Sequence, residues 1–332
     1  MPWNPSELPA ATTDLDRARH DIDRWGYCLL ENALPQDLNQ RCFERLHTQA
    51  AAEKQLGQAF EDGGPAQQWG TFRDEHGNLR ADAFKAENGG VNQRVWMLVN
   101  KGQCFIDALE QDHVNETVGY VLGDEFLVSS FTANIAKPGG VEMPLHTDQW
   151  WAPEPTRASR RNLPVGSINR TTFDRDADLP DPREIIAPAA CSNVLFMLNG
   201  MTVENGGTRI VPGSHRAGRH PDPVRDKDND TVAAEGPPGC AIITDGRVWH
   251  GTGANIGNTD RYAMILTLCG PQYRAQENYT CGTRPEVFAG LSDQTKARLG
   301  FKVWWGYGRT GEPTVNFIDP ADPLIGELHP SG

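Results

Sequence analysis

The hydrophobic positions of this chain fall into two textures that meet near residue 125. Between Leu15 and about Gly123, apolar side chains recur at helical spacing, first Leu15, Ala18 and Ile22, then Leu38, Cys42 and Leu46 after the start signals Pro35 and Asp37. One short apolar run, Gly26-Tyr27-Cys28-Leu29-Leu30, breaks that period and predicts a strand. From Phe126 onward the pattern turns to short β-type runs bounded by turn residues, at 126–135, 193–198, 208–211, 240–243 and 261–268. That is the texture of a barrel or sandwich. Two stretches lack periodicity. Residues 62–88 are polar and Gly-rich and predict a surface excursion. The Pro-, Arg- and Asp-rich 151–190 is too long for an ordinary connection, so it reads as a lid or a mobile insertion.

Composition sharpens this picture. With Gly 34 and Pro 24 in 332 residues, the chain is punctuated for many short strands rather than for a helical bundle. The expected organisation is one catalytic domain over 1–332: mainly helical support at 1–125, a β core at 126–275 carrying the 151–190 insertion, and a C-terminal extension at 276–332. The net charge of -13 repels phosphate backbones and anionic membrane surfaces, so the expected partner is a small molecule rather than nucleic acid or a membrane. The N-terminal MPWNPSELPAATTD lacks the basic and apolar regions of a secretion signal and no run of 18 apolar residues occurs, which predicts a cytoplasmic location. The seven cysteines, at 28, 42, 104, 191, 240, 269 and 281, include no CxxC pair and read as reduced, packed thiols.

Candidate chemistry lies in three places. The first is Leu145-His146-Thr147-Asp148, following Pro138-Gly139-Gly140. On an extended strand, residues two apart share a face, so His146 and Asp148 can offer an imidazole nitrogen and a carboxylate oxygen to one ion. The same spacing at His220-Pro221-Asp222 lies in a Pro-punctuated stretch and is set aside as a metal site, so that His220→Ala is expected to leave the metal untouched. The second is Val248-Trp249-His250-Gly251-Thr252, followed by a Gly and Asn turn and by Arg261. As two consecutive antiparallel strands, this region would turn a third ligand, a hydroxyl and a guanidinium towards the first pair. Two His and one carboxylate with open positions suit an Fe(II) that also binds O2 and a chelating cosubstrate. Arg261, with the Thr252 hydroxyl, is what the distal carboxylate of an α-keto diacid needs.

The third is Glu204-Asn-Gly-Gly-Thr-Arg-Ile-Val-Pro-Gly-Ser-His215, in itself two turns around a short strand. Taken together, L-H-T-D, N-G-G-T-R-I-V-P-G-S-H, and H-x-T with an Arg eleven residues after the His resemble the phytanoyl-CoA dioxygenase superfamily of Fe(II)/2-oxoglutarate oxygenases. The resemblance runs from the Gly26-Tyr27 strand to about Gly270. It implies a mainly β fold with flanking helices, a double-stranded β-helix (jelly-roll, cupin-like) core, and His146, Asp148 and His250 as ligands and catalytic centre. It also implies Arg261 and Thr252 as the 2-oxoglutarate anchor, and, through Gln93-Arg94-Val95-Trp96-Met97-Leu98, Arg94 as a second cosubstrate contact. Where several relatives carry Gln three residues before the first ligand, this chain has Met143. His215 reads as a turn residue.

The implied reaction is oxidation, in the first place hydroxylation, of an unactivated C–H bond of a small, partly apolar compound of specialised metabolism, with O2 as co-oxidant and succinate and CO2 as co-products. Asp148 argues against halide transfer, because halide-transferring relatives replace this carboxylate with a small residue. For the substrate, Trp150 and Trp151 read either as ring-packing contacts or as core and lid packing. Arg157, Arg160 and Arg161 read either as contacts to an anionic substrate such as an acyl-CoA or as a solvated face. Trp304-Trp305-Gly306-Tyr307 reads as packing or a subunit contact. Two readings from other classes compete: a mononuclear zinc hydrolase on the same ligands, and a jelly-roll binding protein without turnover.

Overall fold

The computed structural model describes residues 3–62, 76, 92–149, 188–222, 224–227, 229–303 and 314–321. The expectations for 62–88, for nearly all of 151–190, for Trp150 and Trp151, for the three arginines and for 304–307 therefore lie outside the described residues, apart from a few at the edges. The helix α1 (Leu15–Trp25) starts where the Asp14 carboxylate accepts the Asp16 and Arg17 backbone N–H groups, and stops at Gly26 in the left-handed region, φ 82. A side chain at Gly26 would also meet His215, whose Nδ1 lies 2.6 Å from the position of a Cβ. The next helix, α2 (Gln36–Gln55), buries the predicted stripe Leu38, Cys42 and Leu46 and extends it to Ala50. Two further helices, α3 (Gln103–Leu109) and α4 (Asp112–Leu122), complete the N-terminal layer, and α5 (Tyr279–Gly282), α6 (Pro285–Gly290) and α7 (Asp293–Arg298) follow the β region.

The strands are β1 (Tyr27–Leu30), β2 (Phe60–Asp62), β3 (Asn92–Val95), β4 (Leu127–Ala136), β5 (Cys191–Met197), β6 (Thr208–Ile210), β7 (Val232–Ala233), β8 (Ala241–Asp245), β9 (His250–Thr252) and β10 (Arg261–Cys269). They form a seven-stranded sheet in the order β1-β8-β5-β10-β4-β3-β2 and a three-stranded sheet in the order β7-β6-β9, with every ladder antiparallel. This is a mainly β jelly-roll with flanking helices. The N-terminal third does more than support it, because β1, β2 and β3 are strands of the large sheet. Local periodicity showed β1 but not β2 or β3, whose pairing is non-local.

Alternation along the large sheet separates two cores. The outward side chains Val95, Phe131, Ala133, Val194, Phe196, Ile243, Met264 and Leu266 pack with Ile22, Leu38, Leu46, Phe105 and Val118 of the helices. The inward side chains Leu29, Leu195, Met197, Ile242 and Ala263 meet Ile210 and Val248 from the side of the small sheet. The inner face is not uniformly apolar. Register aligns Phe60, Arg94, Asn134, Ala263 and Met197 in one row, and Ser130, Thr267, Asn193 and Thr244 in another. Polar groups thus line the interior on both sides of the row Thr132, Ile265, Leu195 and Ile242, which is apolar beyond Thr132.

Candidate metal and cosubstrate site

The two candidate ligand segments meet at a single β-bridge. His146 N–H donates to the His250 carbonyl at 2.9 Å and His250 N–H donates back at 3.0 Å. The expectation of a regular strand under His146 and Asp148 is corrected: only His146 bridges, and Asp148 sits in a turn held by its N–H donating to the Gly246 carbonyl at 3.2 Å. Pro144, which has no N–H, keeps this segment from extending the ladder. The bridge needs Gly251. A Cβ there would lie 2.5 Å from the Met143 carbonyl oxygen and 3.2 Å from that of Pro144, both backbone atoms. Gly251→Ala is accordingly expected to push the 143–146 segment off β9 and to weaken divalent metal binding by about tenfold or more, read by Co(II) titration. Wild-type affinity in that variant would mean that the two arms move independently.

Both imidazoles are oriented in the same way. His146 Nδ1 lies 3.0 Å from the Pro144 carbonyl and His250 Nδ1 lies 3.1 Å from that of Val248. A carbonyl only accepts, so each Nδ1 carries the proton and each Nε2 keeps its lone pair. Those Nε2 atoms face Asp148: His146 Nε2 is 3.6 Å from Oδ1 and His250 Nε2 is 3.1 Å from Oδ2, with the rings 4.5 Å apart. One donor atom from each residue lies within 4.8 Å of the others, close enough to share one metal ion. The Asn193 side-chain N–H donates to Asp148 Oδ2 at 2.5 Å and aims the carboxylate. The sequence reading missed Asn193, since nothing local ties a mid-strand Asn to a loop 45 residues away.

Arg261 opens β10 in the large sheet, whereas Thr252 closes β9 in the small one, so the expected side-by-side pairing of these two strands is also corrected. They belong to opposite inner walls instead. Thr252 shares its face with His250, two residues earlier. Arg261 is fully enclosed at 1% exposure, and its Nε and Nη2 have no hydrogen-bond partner among the described residues. Burial, with a smaller contribution from the Arg94 charge, pulls its guanidinium down from the ordinary 12.5 to about 10. Asn134 Oδ1, Asn193 Oδ1 and Thr244 Oγ1, on the same inner face, are likewise buried without a partner among the described residues. A buried cation beside a second guanidinium, with guanidinium N–H donors left open and a hydroxyl on the same face, fits a dicarboxylate that accepts from the arginines.

Residues 22–263 match the family model described as phytanoyl-CoA dioxygenase (PhyH). The chain belongs to the phytanoyl-CoA dioxygenase family. Among curated proteins, this family member is 28% identical over 215 residues to dioxygenase af480 of Aspergillus fumigatus, covering 63% of this chain and 59% of that protein. It is 44% identical over 117 residues to dioxygenase andF of Emericella variicolor, covering 35% of this chain and 40% of that protein. The aligned stretches thus span about two fifths to three fifths of these relatives. A solved structure with the same fold is the non-heme α-ketoglutarate-dependent epimerase SnoN from nogalamycin biosynthesis, with a TM-score of 0.51, 15% identity, and 79% of this chain and 86% of that chain covered.

Other positions flagged in the sequence of this PhyH member fall as follows. His215 is a buried turn residue whose Nε2 lies 3.2 Å from the Asp23 carbonyl, and burial pulls its pKa down. Met143 uses its backbone: its N–H donates to the Thr252 carbonyl at 2.9 Å, and its carbonyl accepts from Arg209 at 2.9 Å. All seven cysteines are free, and only Cys281 is exposed. Among the described residues no helix is long and apolar enough to cross a membrane.

Proposed function

We propose that the protein is an Fe(II)- and 2-oxoglutarate-dependent dioxygenase that hydroxylates an unactivated C–H bond of a small, partly apolar metabolite. The observation that carries the reading is the enclosed Arg261, its Nε and Nη2 without a partner among the described residues, on the inner wall of a barrel that also holds the His146, Asp148 and His250 donors. In this reading those three residues hold the iron through the two Nε2 atoms and one carboxylate oxygen, and Asn193 keeps the carboxylate turned towards it. Arg261 receives the distal carboxylate of 2-oxoglutarate, with Thr252 and Arg94 as further contacts. Iron and 2-oxoglutarate, when bound with O2, supply the oxidant, and succinate and CO2 are the co-products. The chain contributes position and a dry interior; no separate general base is needed.

Support for a partly apolar substrate comes from the same inner face. Ile265 lies partly buried there beside Thr132, and Phe60 and Trp96 stand edge to face at 5.4 Å near the open edge of the sheet. Trp96 remains 40% exposed, so its ring is available to a ligand. The fungal dioxygenases among the relatives agree with a role in specialised metabolism.

Anaerobic addition of Fe(II) and 2-oxoglutarate to the metal-free protein tests the cofactor assignment. A weak visible absorption band is expected with both present and with neither alone, and Zn(II) gives none. No band at saturating Fe(II) and 2-oxoglutarate would remove the assignment. A metabolite panel scored for stimulated succinate release then identifies the substrate class.

A further inference from the structure

The His220-Pro221-Asp222 stretch, set aside as a metal site, packs against the back of the candidate one. Thr147, between His146 and Asp148, is buried, and its hydroxyl lies 2.6 Å from His220 Nδ1. The preceding residue engages the other arm. The Arg219 guanidinium lies 4.6 Å from the centre of the Trp249 ring, and its carbonyl accepts the Trp249 indole N–H at 3.1 Å. Trp249 directly precedes His250. Arg219 is itself fixed by a two-point pair with Asp226 at 2.6 and 3.0 Å and by donating to the His220 carbonyl at 3.1 Å. Asp226 also accepts the Asp222 N–H at 2.7 Å, and Asp222 Oδ1 accepts the N–H groups of Val224 and Arg225 at 2.8 and 2.9 Å. The acidic member of this second H-x-D is therefore engaged in folding its own loop.

We infer that His220 and Arg219 are positioning residues for the metal centre: one self-braced loop holds Thr147 on the first ligand arm and Trp249 on the second, and so sets the relation of His146 and Asp148 to His250. The inference rests on the reading of those three residues as the iron site. Its physical basis is that the ligand-bearing segment is held by isolated contacts rather than by a ladder: one bridge at His146, the Gly246 carbonyl under the Asp148 N–H, and Asn193 on the carboxylate. Thr147 lies between the two ligands in sequence, so the contact of its hydroxyl with His220 adds a restraint on the turn between them and on the direction of both. This replaces the earlier expectation that His220→Ala is silent.

The test is anaerobic Co(II) titration followed by visible absorption, on wild type, Thr147→Val, His220→Ala, His220→Asn, the Thr147→Val/His220→Ala double variant, and His146→Ala. Thr147→Val keeps the side-chain shape and separates loss of the hydrogen bond from misfolding. Thr147→Val and His220→Ala are each expected to weaken Co(II) binding about tenfold and to shift the Co(II) bands, with the double variant no weaker than either single. His220→Asn, which keeps a polar atom near the Nδ1 position, is expected to recover most of the affinity. Wild-type affinity and bands in both single variants would overturn the inference, as would additive losses in the double. If wild type binds Co(II) no better than His146→Ala, the triad reading itself falls and the inference with it; if His146→Ala loses Co(II) while Thr147→Val and His220→Ala match wild type, the triad stands and the inference falls.

Discussion

Asp148→Ala is expected to weaken Fe(II) binding by more than about a hundredfold, beyond what loss of a supporting contact costs, and to abolish iron-dependent 2-oxoglutarate turnover. The size follows from its position between the imidazoles, 3.6 Å from one Nε2 and 3.1 Å from the other, as the only anion of the three donors. Two neutral histidines hold a dication poorly in a half-buried site, because no charge of the protein then offsets it. Stability should change little. The carboxylate is 22% exposed and gives up its hydrogen bond from Asn193, a loss of about 1 kcal/mol. Asp148→Asn, which keeps the shape and removes the charge, should fall close to the alanine variant, and His146→Ala should match it. Iron content after anaerobic loading and succinate release are the measurements. Stoichiometric iron with turnover in Asp148→Ala would refute the ligand assignment.

The second large effect is a gain of stability coupled to a loss of binding. Arg261 is enclosed, and its guanidinium is held near 10 rather than 12.5, with burial as the main cause. The folded state thus binds this proton less tightly than the unfolded chain does, so the cost is fully present at any pH below about 10 and is relieved only as pH rises towards 12.5. It is on the order of 3 kcal/mol. Arg261→Met keeps the reach of the side chain without the charge. It should raise the thermal midpoint of the ligand-free protein by a few degrees, since about 1 kcal/mol is worth about 2–4 °C in a chain somewhat smaller than this one. The upward shift that 2-oxoglutarate confers on the wild type should disappear. A lower ligand-free midpoint would mean that Arg261 has a compensating partner inside the fold, and an undiminished 2-oxoglutarate shift would move the anchor elsewhere. Such a trade is what a binding cation kept dry would produce.

Much of this was legible before any coordinates. The helical stripe Leu38, Cys42 and Leu46, the β runs now seen as β4, β5, β8 and β10, and the separation of the H-x-D and His-Gly-Thr segments all follow from local pattern, because amphipathic periodicity and turn residues act within a few positions. What was misjudged was relational. His146 and Asp148 were expected on a strand and lie instead at a bridge and a turn; β9 and β10 were expected as partners and belong to different sheets. Asn193 carried no recognisable signal, and the motifs that hold Gly251 and His220 did not show what either contacts, since each meets residues far away in sequence.

By itself the sequence determined which residue types this protein can bring to an ion and a diacid, where its helices and most of its strands begin, and which H-x-D pair lies next to a strand-rich region rather than in a proline turn. Only the tertiary structure decided that His146 and His250 meet at one bridge, that two guanidinium nitrogens of Arg261 are enclosed without a partner among the described residues, and that His220 of the discarded H-x-D contacts Thr147 between the two chosen ligands. The reason is physical. Side-chain pattern is set by neighbours a few residues away, whereas register, burial of a charge and close backbone approach exist only once distant strands have paired.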